Sequence, residues 1–385
     1  MIITKDIKYV GVNDYEIDLF EGQYKVPRGM AYNSYVILDE KIAVMDSVDI
    51  RFAKEWIEKI KSTLEGKAPD YLIVQHMEPD HSSSIMKFVR AFPDVIVVAS
   101  ARAFSMMKGF FGTDFADRCM VVGEGDEISL GRHNLNFITA SMVHWPEVIM
   151  TYDSFDRVLF SADGFGRFGA LDCDDDWVDE ARRYYFGIVG KYGAQVQSVL
   201  KKIQRLDIQI ICSLHGPVLQ KNLDYYFNLY DTWSSYRPET QGVCIAYTSV
   251  YSNTRRAVEM LADLFWKREI KFVIHDLARC DMHRAVEDAF RYDRLILATT
   301  TYNGSVFPYM REFINHLTER NYQNRRIGFI ENGSWAPVAT KIMKSMLERS
   351  KDISYTTNEV RITSALDDNS RAQIVSLAEE FSKQF

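Results

Sequence analysis

From Gly242 to the end of the chain, short β-branched runs alternate with longer amphipathic ones, and that rhythm leaves few folds open. "GVCIAYTS" precedes "TRRAVEMLADLFWKR", "IKFVIHDL" precedes "MHRAVEDAFRY", and "RLILATTT" precedes "YMREFINHLTER". "RIGFIEN" then leads to "VATKIMKSMLERS", and "NEVRITS" to "RAQIVSLAEEFSKQF". In each pair the first member reads as a buried strand and the second carries apolar residues at helical spacing. Five such pairs predict a doubly wound sheet of five parallel strands, because right-handed crossovers bring each strand back parallel to the last. We place this domain at residues 241–385.

The preceding residues, 1–240, have a different texture. "SYVILDEKIAVMDS" predicts two short strands around a polar turn, and "RFAKEWIEKIKSTLEG" a helix stopped by Gly66. "DYLIVQH", "DVIVVAS", "HNLNFITA" and "RVLFSAD" read as strands, and "SSSIMKFVRAF" as a helix with serines ready to cap it. Strands dominate, with helices between some of them, so a layered α/β domain is expected. "WSSYRPETQG", residues 233–242, is polar with a proline and a glycine, and reads as a linker. Two domains suit 385 residues, beyond the size at which one core stops growing.

Composition closes off several functions. The net charge of -7, with no run of five basic residues, gives no basis for nucleic-acid binding. No apolar run approaches the roughly 18 residues of a membrane span, and the charged opening "MIITKDIKYVGVND" is not expected to be a signal peptide. Five scattered cysteines without a C-x-x-C pair point to a reducing, cytoplasmic setting. They also argue against an iron–sulfur, zinc-ribbon or rubredoxin-type centre in this sequence.

Ligands of an open parallel sheet sit beyond the carboxyl ends of its strands. There the second half carries Thr248, Ser249, Tyr251, Ser252, Asn253 and Thr254, then Thr301, Tyr302, Asn303 and Gly304, then Asn332, Gly333, Ser334 and Trp335. Hydroxyls and backbone N–H groups running into a helix make a phosphate cradle. Aromatics on two neighbouring loops suit a flat heteroaromatic ring. This half resembles flavodoxin, whose phosphate loop, roughly S/T-x-T/Y-G-N-T, maps onto Ser249 to Thr254; Ser252 stands where glycine is usual. No G-x-G-x-x-G follows a strand, so FMN rather than a dinucleotide is expected.

In the first half, His76, Glu78, Asp80, His81, His144, Asp163 and His215 each stand where a strand gives way to a loop. The four other histidines outside this set, His133, His275, His283 and His316, lack acidic companions in any motif and read as ordinary core or surface residues. The H-x-E-x-D-H pattern with its later H, D and H resembles the metallo-β-lactamase superfamily, whose usual form is H-x-H-x-D-H. Glu78 replaces the middle histidine and makes the site harder and more anionic, which suits iron without excluding zinc or manganese.

A lactamase-like αββα sandwich followed by a flavodoxin-like domain is similar to the flavodiiron proteins, and the resemblance covers essentially the whole chain. It implies that His76, Glu78 and His144 hold one iron, that Asp80, His81 and His215 hold the other, and that Asp163 bridges. In some members the histidine matching His81 is not a direct ligand. The resemblance further implies FMN and two irons as cofactors, reduction of dioxygen to water or of nitric oxide to nitrous oxide, and a head-to-tail homodimer. It also implies an external donor, a rubredoxin or a reduced deazaflavin. Trp145, Phe165, Phe168, Tyr184 and Tyr185 are candidates to line a gas pocket, or are simply core. Two other readings compete: a zinc hydrolase with a regulatory flavodoxin-like half, and a plain flavin electron carrier with a vestigial metal site.

Overall fold

The computed structural model describes residues 1–173 and 176–383. The chain divides into two compact units, Met1–Asp231 and Thr232–Phe385.

The first unit is built on two sheets. One runs in the order Ile7–Tyr9, Tyr35–Ile37, Ala43–Met45, Tyr71–Val74, Ile96–Ala99, Cys119–Val121. The other runs Glu127–Ser129, Asn134–Thr139, Ile149–Asp153, Val158–Phe160, Ile210–Cys212. The expected hairpin forms, with Tyr35 opposite Met45 across the antiparallel pair. Because side chains alternate along a strand, Ile37, Met45, Ile73 and Val98 share a face. They bury that face in one cluster with Leu135, Phe137, Ile149 and Phe160 of the second sheet. The intervening residues Val36, Val44 and Leu72 are buried too, so the first sheet is covered on both sides.

Helices supply the outer cover. In Ala53–Leu64 the residues Ala53, Trp56, Ile60 and Leu64 form the buried stripe. Trp56 packs on Phe88 of the helix Ile85–Ala91 with ring centroids 5.1 Å apart. Its indole N–H donates to Ser34 Oγ at 2.9 Å, so the one polar atom of this buried ring is satisfied. The helix Gly193–Ile203 is tied to the second sheet by Lys202, whose ammonium donates to Thr139 O at 2.9 Å.

Two local expectations change. The helix from Ala53 ends not at Gly66 alone but through Glu65 at φ 49 followed by Gly66 at φ 90, two left-handed residues in succession. The serines before Ile85 do not cap it, because a short helical turn, Pro79–Ser82, intervenes and leaves Ser84 helical. Ser82 Oγ donates instead to Met77 O at 2.8 Å.

The strand ends of this unit position the site. Val158–Phe160 and Ile210–Cys212 are parallel, with Phe160 opposite Cys212, so the residues three beyond each, Asp163 and His215, emerge at the same end. His76 leaves Tyr71–Val74 nearby: Ile149 N donates to Gln75 O at 3.1 Å and stitches the two sheets at this end.

The second unit has strand order Phe272–Asp276, Thr240–Tyr247, Tyr292–Tyr302, Arg325–Asn332, then the far edge, which is 2-1-3-4-5 in chain order. The main-path neighbours are parallel. All five expected helices form, as Asn253–Lys267, Met282–Arg291, Pro308–Glu319, Ala339–Met346 and Asp368–Ser382. The fifth strand is split into Ile353–Tyr355 and Val360–Ile362, both parallel to Arg325–Asn332. The break is held by Glu380, whose carboxylate accepts from the backbone N–H groups of Thr357 at 2.9 Å and Asn358 at 3.0 Å.

Residues 232–240, which the sequence places in the first domain and reads partly as a linker, belong to the second unit. Trp233 and Tyr236 are buried. The Trp233 indole donates to Glu239 at 2.8 Å, and the Tyr236 carbonyl accepts from Arg325 at 2.8 Å. The two aromatic rings outweigh the polar residues around them. Among the described residues no helix is long and apolar enough to cross a membrane.

Trp56→Ala removes a fully buried ring and the hydrogen bond that Ser34 Oγ accepts from it, so it is expected to destabilise the first unit by about 3–5 kcal/mol. Urea unfolding followed by hydrogen exchange in that unit reads the loss.

Candidate metal centre

Seven side chains converge at the strand ends of the first unit. His76, Glu78, His144 and Asp163 place one ligand atom each within 4.8 Å of one another, and Asp80, His81 and His215 do the same beside them. Asp163 faces both groups. Its Oδ2 lies 3.1 Å from His144 Nε2 and 3.4 Å from His76 Nε2. Its Oδ1 lies 3.4 Å from His81 Nε2 and 3.7 Å from His215 Nε2. All seven residues of the sequence pattern are therefore brought together, and His81 turns its Nε2 inward like the others.

The surroundings determine which ring nitrogen is available. His76 Nδ1–H donates to Glu147 Oε1 at 2.8 Å, and His215 Nδ1–H donates to the Ala31 carbonyl at 2.7 Å. Both rings are thus left with an Nε2 lone pair aimed into the cluster. These lone pairs meet other acceptors. His76 Nε2 is 3.2 Å from Glu78 Oε2, while His215 Nε2 is 2.9 Å from His81 Nε2 and 3.3 Å from Asp80 Oδ2. Acceptor facing acceptor is repulsive unless positive charge lies between. The buried oxygens of Asp80 and Oδ1 of Asp163 accept no hydrogen bond at all. An uncompensated buried carboxylate costs several kcal/mol, so this donor set fits a pair of cations and little else. Imidazole and carboxylate together suit iron, manganese or zinc.

Protonation without metal follows the same logic. Burial works against charge on His144, but hydrogen bonds to Asp163 and Glu78 overcome it and lift the imidazole to about 9. His76 is raised as well, its burial outweighed by Asp163, Glu147 and Glu78. Burial opposes ionisation of Glu78 and Asp163, yet the histidines hold both carboxyls below their usual range.

Sequence reasoning missed part of the supporting shell. Glu147 gives no signal beyond its place three residues after His144, and its carboxylate also accepts from Met77 N at 2.9 Å. Phe20 and Tyr32, with ring centroids 5.4 and 6.0 Å from His215, carry no sequence signal. Of the five aromatic candidates, Trp145 packs edge-on to His76 at 5.4 Å and Tyr184 lies 5.5 Å from His215. Tyr184 is fully buried and its hydroxyl makes no hydrogen bond. Phe168 backs Tyr184 at 5.1 Å, whereas Phe165 and Tyr185 pack around Tyr230. His133 and His275, taken to lack acidic companions, each pair with an aspartate at 2.8 Å: Asp153 and Asp288. His283 and His316 meet edge to face at 5.1 Å, in the second unit.

In the second unit a cleft of about 270 Å³ opens at the strand carboxyl ends. It is lined by Ser249, Tyr251, Asn253, Thr254, Thr301, Tyr302, Asn332, Gly333, Ser334 and Trp335, as anticipated, and also by Val250, Thr300 and Ser364. Thr248 does not line it; its hydroxyl is buried against Thr299 at 2.6 Å. Asn303 and Gly304 form the turn, φ 50 and φ 67, that returns the chain to Ser305–Val306. Ser252 does adopt the left-handed conformation usual for glycine, at φ 66, ψ 0, immediately before the helix Asn253–Lys267. The Thr254 hydroxyl is buried there without a partner, and the Thr300 hydroxyl likewise. A helix N-terminus with an orphaned hydroxyl is a fitting cradle for a phosphate. Tyr251 and Trp335 are 86% and 83% exposed beside it, unusually open for large aromatics and well placed to stack on a flat ring.

These features have counterparts in known proteins. Residues 30–216 match the family model described as "ODP family beta lactamase". The anaerobic nitric oxide reductase flavorubredoxin of Escherichia coli is 27% identical over 364 residues, covering 90% of this chain and 75% of that protein. The structure of rubredoxin oxygen:oxidoreductase from Desulfovibrio gigas superposes with a TM-score of 0.92 at 22% identity, covering 99% of this chain and 97% of that one. The flavodiiron protein from Giardia intestinalis gives a TM-score of 0.91 at 23% identity, with 98% and 96% covered. The fold is shared from end to end.

Two outcomes follow from this geometry. His144 is raised from its ordinary value of 6.5 to about 9 in the metal-free fold, so its contribution to stability is complete below about pH 6.5 and disappears as pH rises through 9. The thermal midpoint of metal-free protein is expected to fall over that window, and His144→Asn to flatten the fall. At Ser252 the left-handed backbone strains a residue whose side chain caps nothing. Ser252→Gly is expected to stabilise the flavin-free second unit by about 1 kcal/mol, read by urea unfolding.

Proposed function

We propose that this chain is a member of the flavodiiron protein family and an oxidoreductase that reduces dioxygen, nitric oxide or both at a di-iron centre, with FMN relaying electrons from an external donor. The observation that carries the reading is Asp163, whose two buried oxygens face separate triads of histidine and carboxylate. The names of the relatives support it: one is a nitric oxide reductase, another a rubredoxin oxygen:oxidoreductase. When bound, the two irons would supply open coordination positions and electrons for a diatomic gas, and FMN would pass the donor's electrons on singly.

The chain's own residues would then do the following. His76, Glu78 and His144 hold one iron and Asp80, His81 and His215 the other, with Asp163 shared. Glu147 and the Ala31 carbonyl lock His76 and His215 in the tautomer that points Nε2 at the metal. Three carboxylates, Glu78, Asp80 and Asp163, offset the charge of two divalent ions. Tyr184 offers a buried hydroxyl with no competing acceptor, a donor placed to hydrogen-bond a gas molecule or its reduced product. Phe20, Phe168 and Trp145 keep the surroundings apolar, which favours small uncharged substrates.

In the second unit Ser249 to Thr254 would cradle the FMN phosphate, and Tyr251, Tyr302 and Trp335 would border its ring. The electron balance is four electrons and four protons per dioxygen reduced to two waters, or two electrons and two protons per pair of nitric oxides reduced to nitrous oxide and water. The donor is a rubredoxin or a reduced deazaflavin. A head-to-tail homodimer belongs to the same reading, carried by the family resemblance. Five cysteines, with no disulfide among the described residues, fit a reducing cytoplasm.

The test is gas consumption by iron-loaded, FMN-replete protein with reduced rubredoxin, supplying dioxygen and nitric oxide separately. Rapid loss of at least one gas is expected, without free hydrogen peroxide from dioxygen and with nitrous oxide from nitric oxide. Glu147→Gln should lower turnover or iron affinity about 10–100-fold, as loss of an orienting carboxylate does. Two zincs per chain with neither gas consumed would return the zinc hydrolase reading.

A further inference from the structure

The strands Asn134–Thr139 and Ile149–Asp153 pair from Thr139 opposite Ile149, at the metal centre, to Leu135 opposite Asp153 at the other end. Four residues of strand separate the two ends by about 14 Å. At the far end, His133 precedes the first strand, Asp153 closes the second, and Asp156 sits in the turn that follows. We propose that His133, Asp153 and Asp156 form a separate binding site for one divalent cation of the zinc type.

The three residues each present a ligand atom within 4.8 Å of the others. His133 and Asp153 are fully buried, whereas Asp156 is partly exposed and leaves one side of the site open to water. The imidazole points between the aspartates. Its Nδ1 is 2.8 Å from Asp153 Oδ2, and its buried Nε2 makes no hydrogen bond, the Asp6 carboxylate standing 3.6 Å away. A cation on the Nδ1 side would make Nε2 the protonated nitrogen, facing Asp6. That is the carboxylate–histidine–metal arrangement that orients metal-bound imidazoles. The Thr4 hydroxyl donates to Asp156 in the same way, steadying a carboxylate ligand.

Charge points in the same direction. Asp6, Asp39, Asp153 and Asp156 gather around His133, and Arg132, half-exposed, stands 3.0 Å from Asp6 and 3.5 Å from Asp39. Phe155 lies 4.8 Å from the imidazole and covers it, so the cluster is poorly hydrated on that face. Positive charge is wanted here, and one nitrogen with two carboxylate oxygens is a donor set that zinc accepts and that calcium or magnesium, preferring oxygen alone, does not. Asp6 adjoins the edge strand of the first sheet, while the three ligands belong to the second. An ion here would therefore staple the two sheets together at the end remote from the catalytic metals.

Equilibrium dialysis of the iron-loaded, FMN-replete protein against Zn²⁺, with zinc and iron both counted per chain by mass spectrometry, tests the site. Wild type is expected to take up one zinc with its iron content unchanged. Asp156→Asn, a conservative change at a partly exposed turn, should weaken that uptake at least about tenfold while leaving iron content and gas turnover as they were. His133→Asn should abolish it. If that variant does not fold, Asp156→Asn alone decides. No zinc bound to wild type, or equal uptake by wild type and Asp156→Asn, would overturn the proposal and leave a protonated His133 as the counter-charge.

Discussion

Two oxygens of one buried carboxylate, Asp163, face two sets of ligands, and the metal end of the first unit is organised around that fact. An ionised carboxyl that is 1% exposed is tolerable only if positive charge meets both of its sides. Histidines alone meet it by taking protons, which is why His76 and His144 are raised in the bare fold. Metals meet it better, because Glu147 and the Ala31 carbonyl already occupy the outer nitrogens and leave the inner ones bare. The backbone follows from this requirement. Val158–Phe160 and Ile210–Cys212 must lie parallel and in register for Asp163 and His215 to emerge together.

Both units solve the placement of polar groups in the same way. Strand interiors are largely apolar, and the residues of the metal centre and of the cleft stand at or just beyond strand carboxyl ends. In the second unit that economy has a local cost at Ser252, a non-glycine residue held left-handed so that the chain can enter the helix Asn253–Lys267 beside the cleft. The neighbouring Thr254 and Thr300 hydroxyls, buried without partners, are polar atoms that a bound group would satisfy. Orphaned polar atoms thus mark the site in each unit, carboxylate oxygens in one and hydroxyls in the other.

Much of this was legible along the chain. The five strand–helix pairs after Gly242 appear with their order and type intact, because each buried strand is a continuous apolar run and each helix a clear stripe. The seven polar residues at strand ends were readable as a set for the same reason: "IVQH" and "LFSAD" set groups that are costly to bury directly against strands that are wholly buried. What failed was local. The fifth strand breaks because Glu380, more than twenty residues on, offers its carboxylate to the backbone of Thr357 and Asn358. The polar stretch at 233–242 is no linker because Trp233 and Tyr236 find burial that its composition does not announce. Ser84 caps nothing because the turn Pro79–Ser82 comes first.

By itself, then, the sequence determined which residues could bear chemistry and which segments could be strand or helix, since both depend on residue type and on periods of two and 3.6. Only the tertiary structure decided how those residues meet. Sequence spacing places His81 and His215 far apart, whereas folding leaves their Nε2 atoms 2.9 Å apart. It also decided which groups orient them, such as Glu147, and it gave His133 the aspartate neighbours that no motif foretold. Such contacts depend on sheet register and on how two faces pack, and these are set by burial summed over the whole unit rather than by any local run of residues.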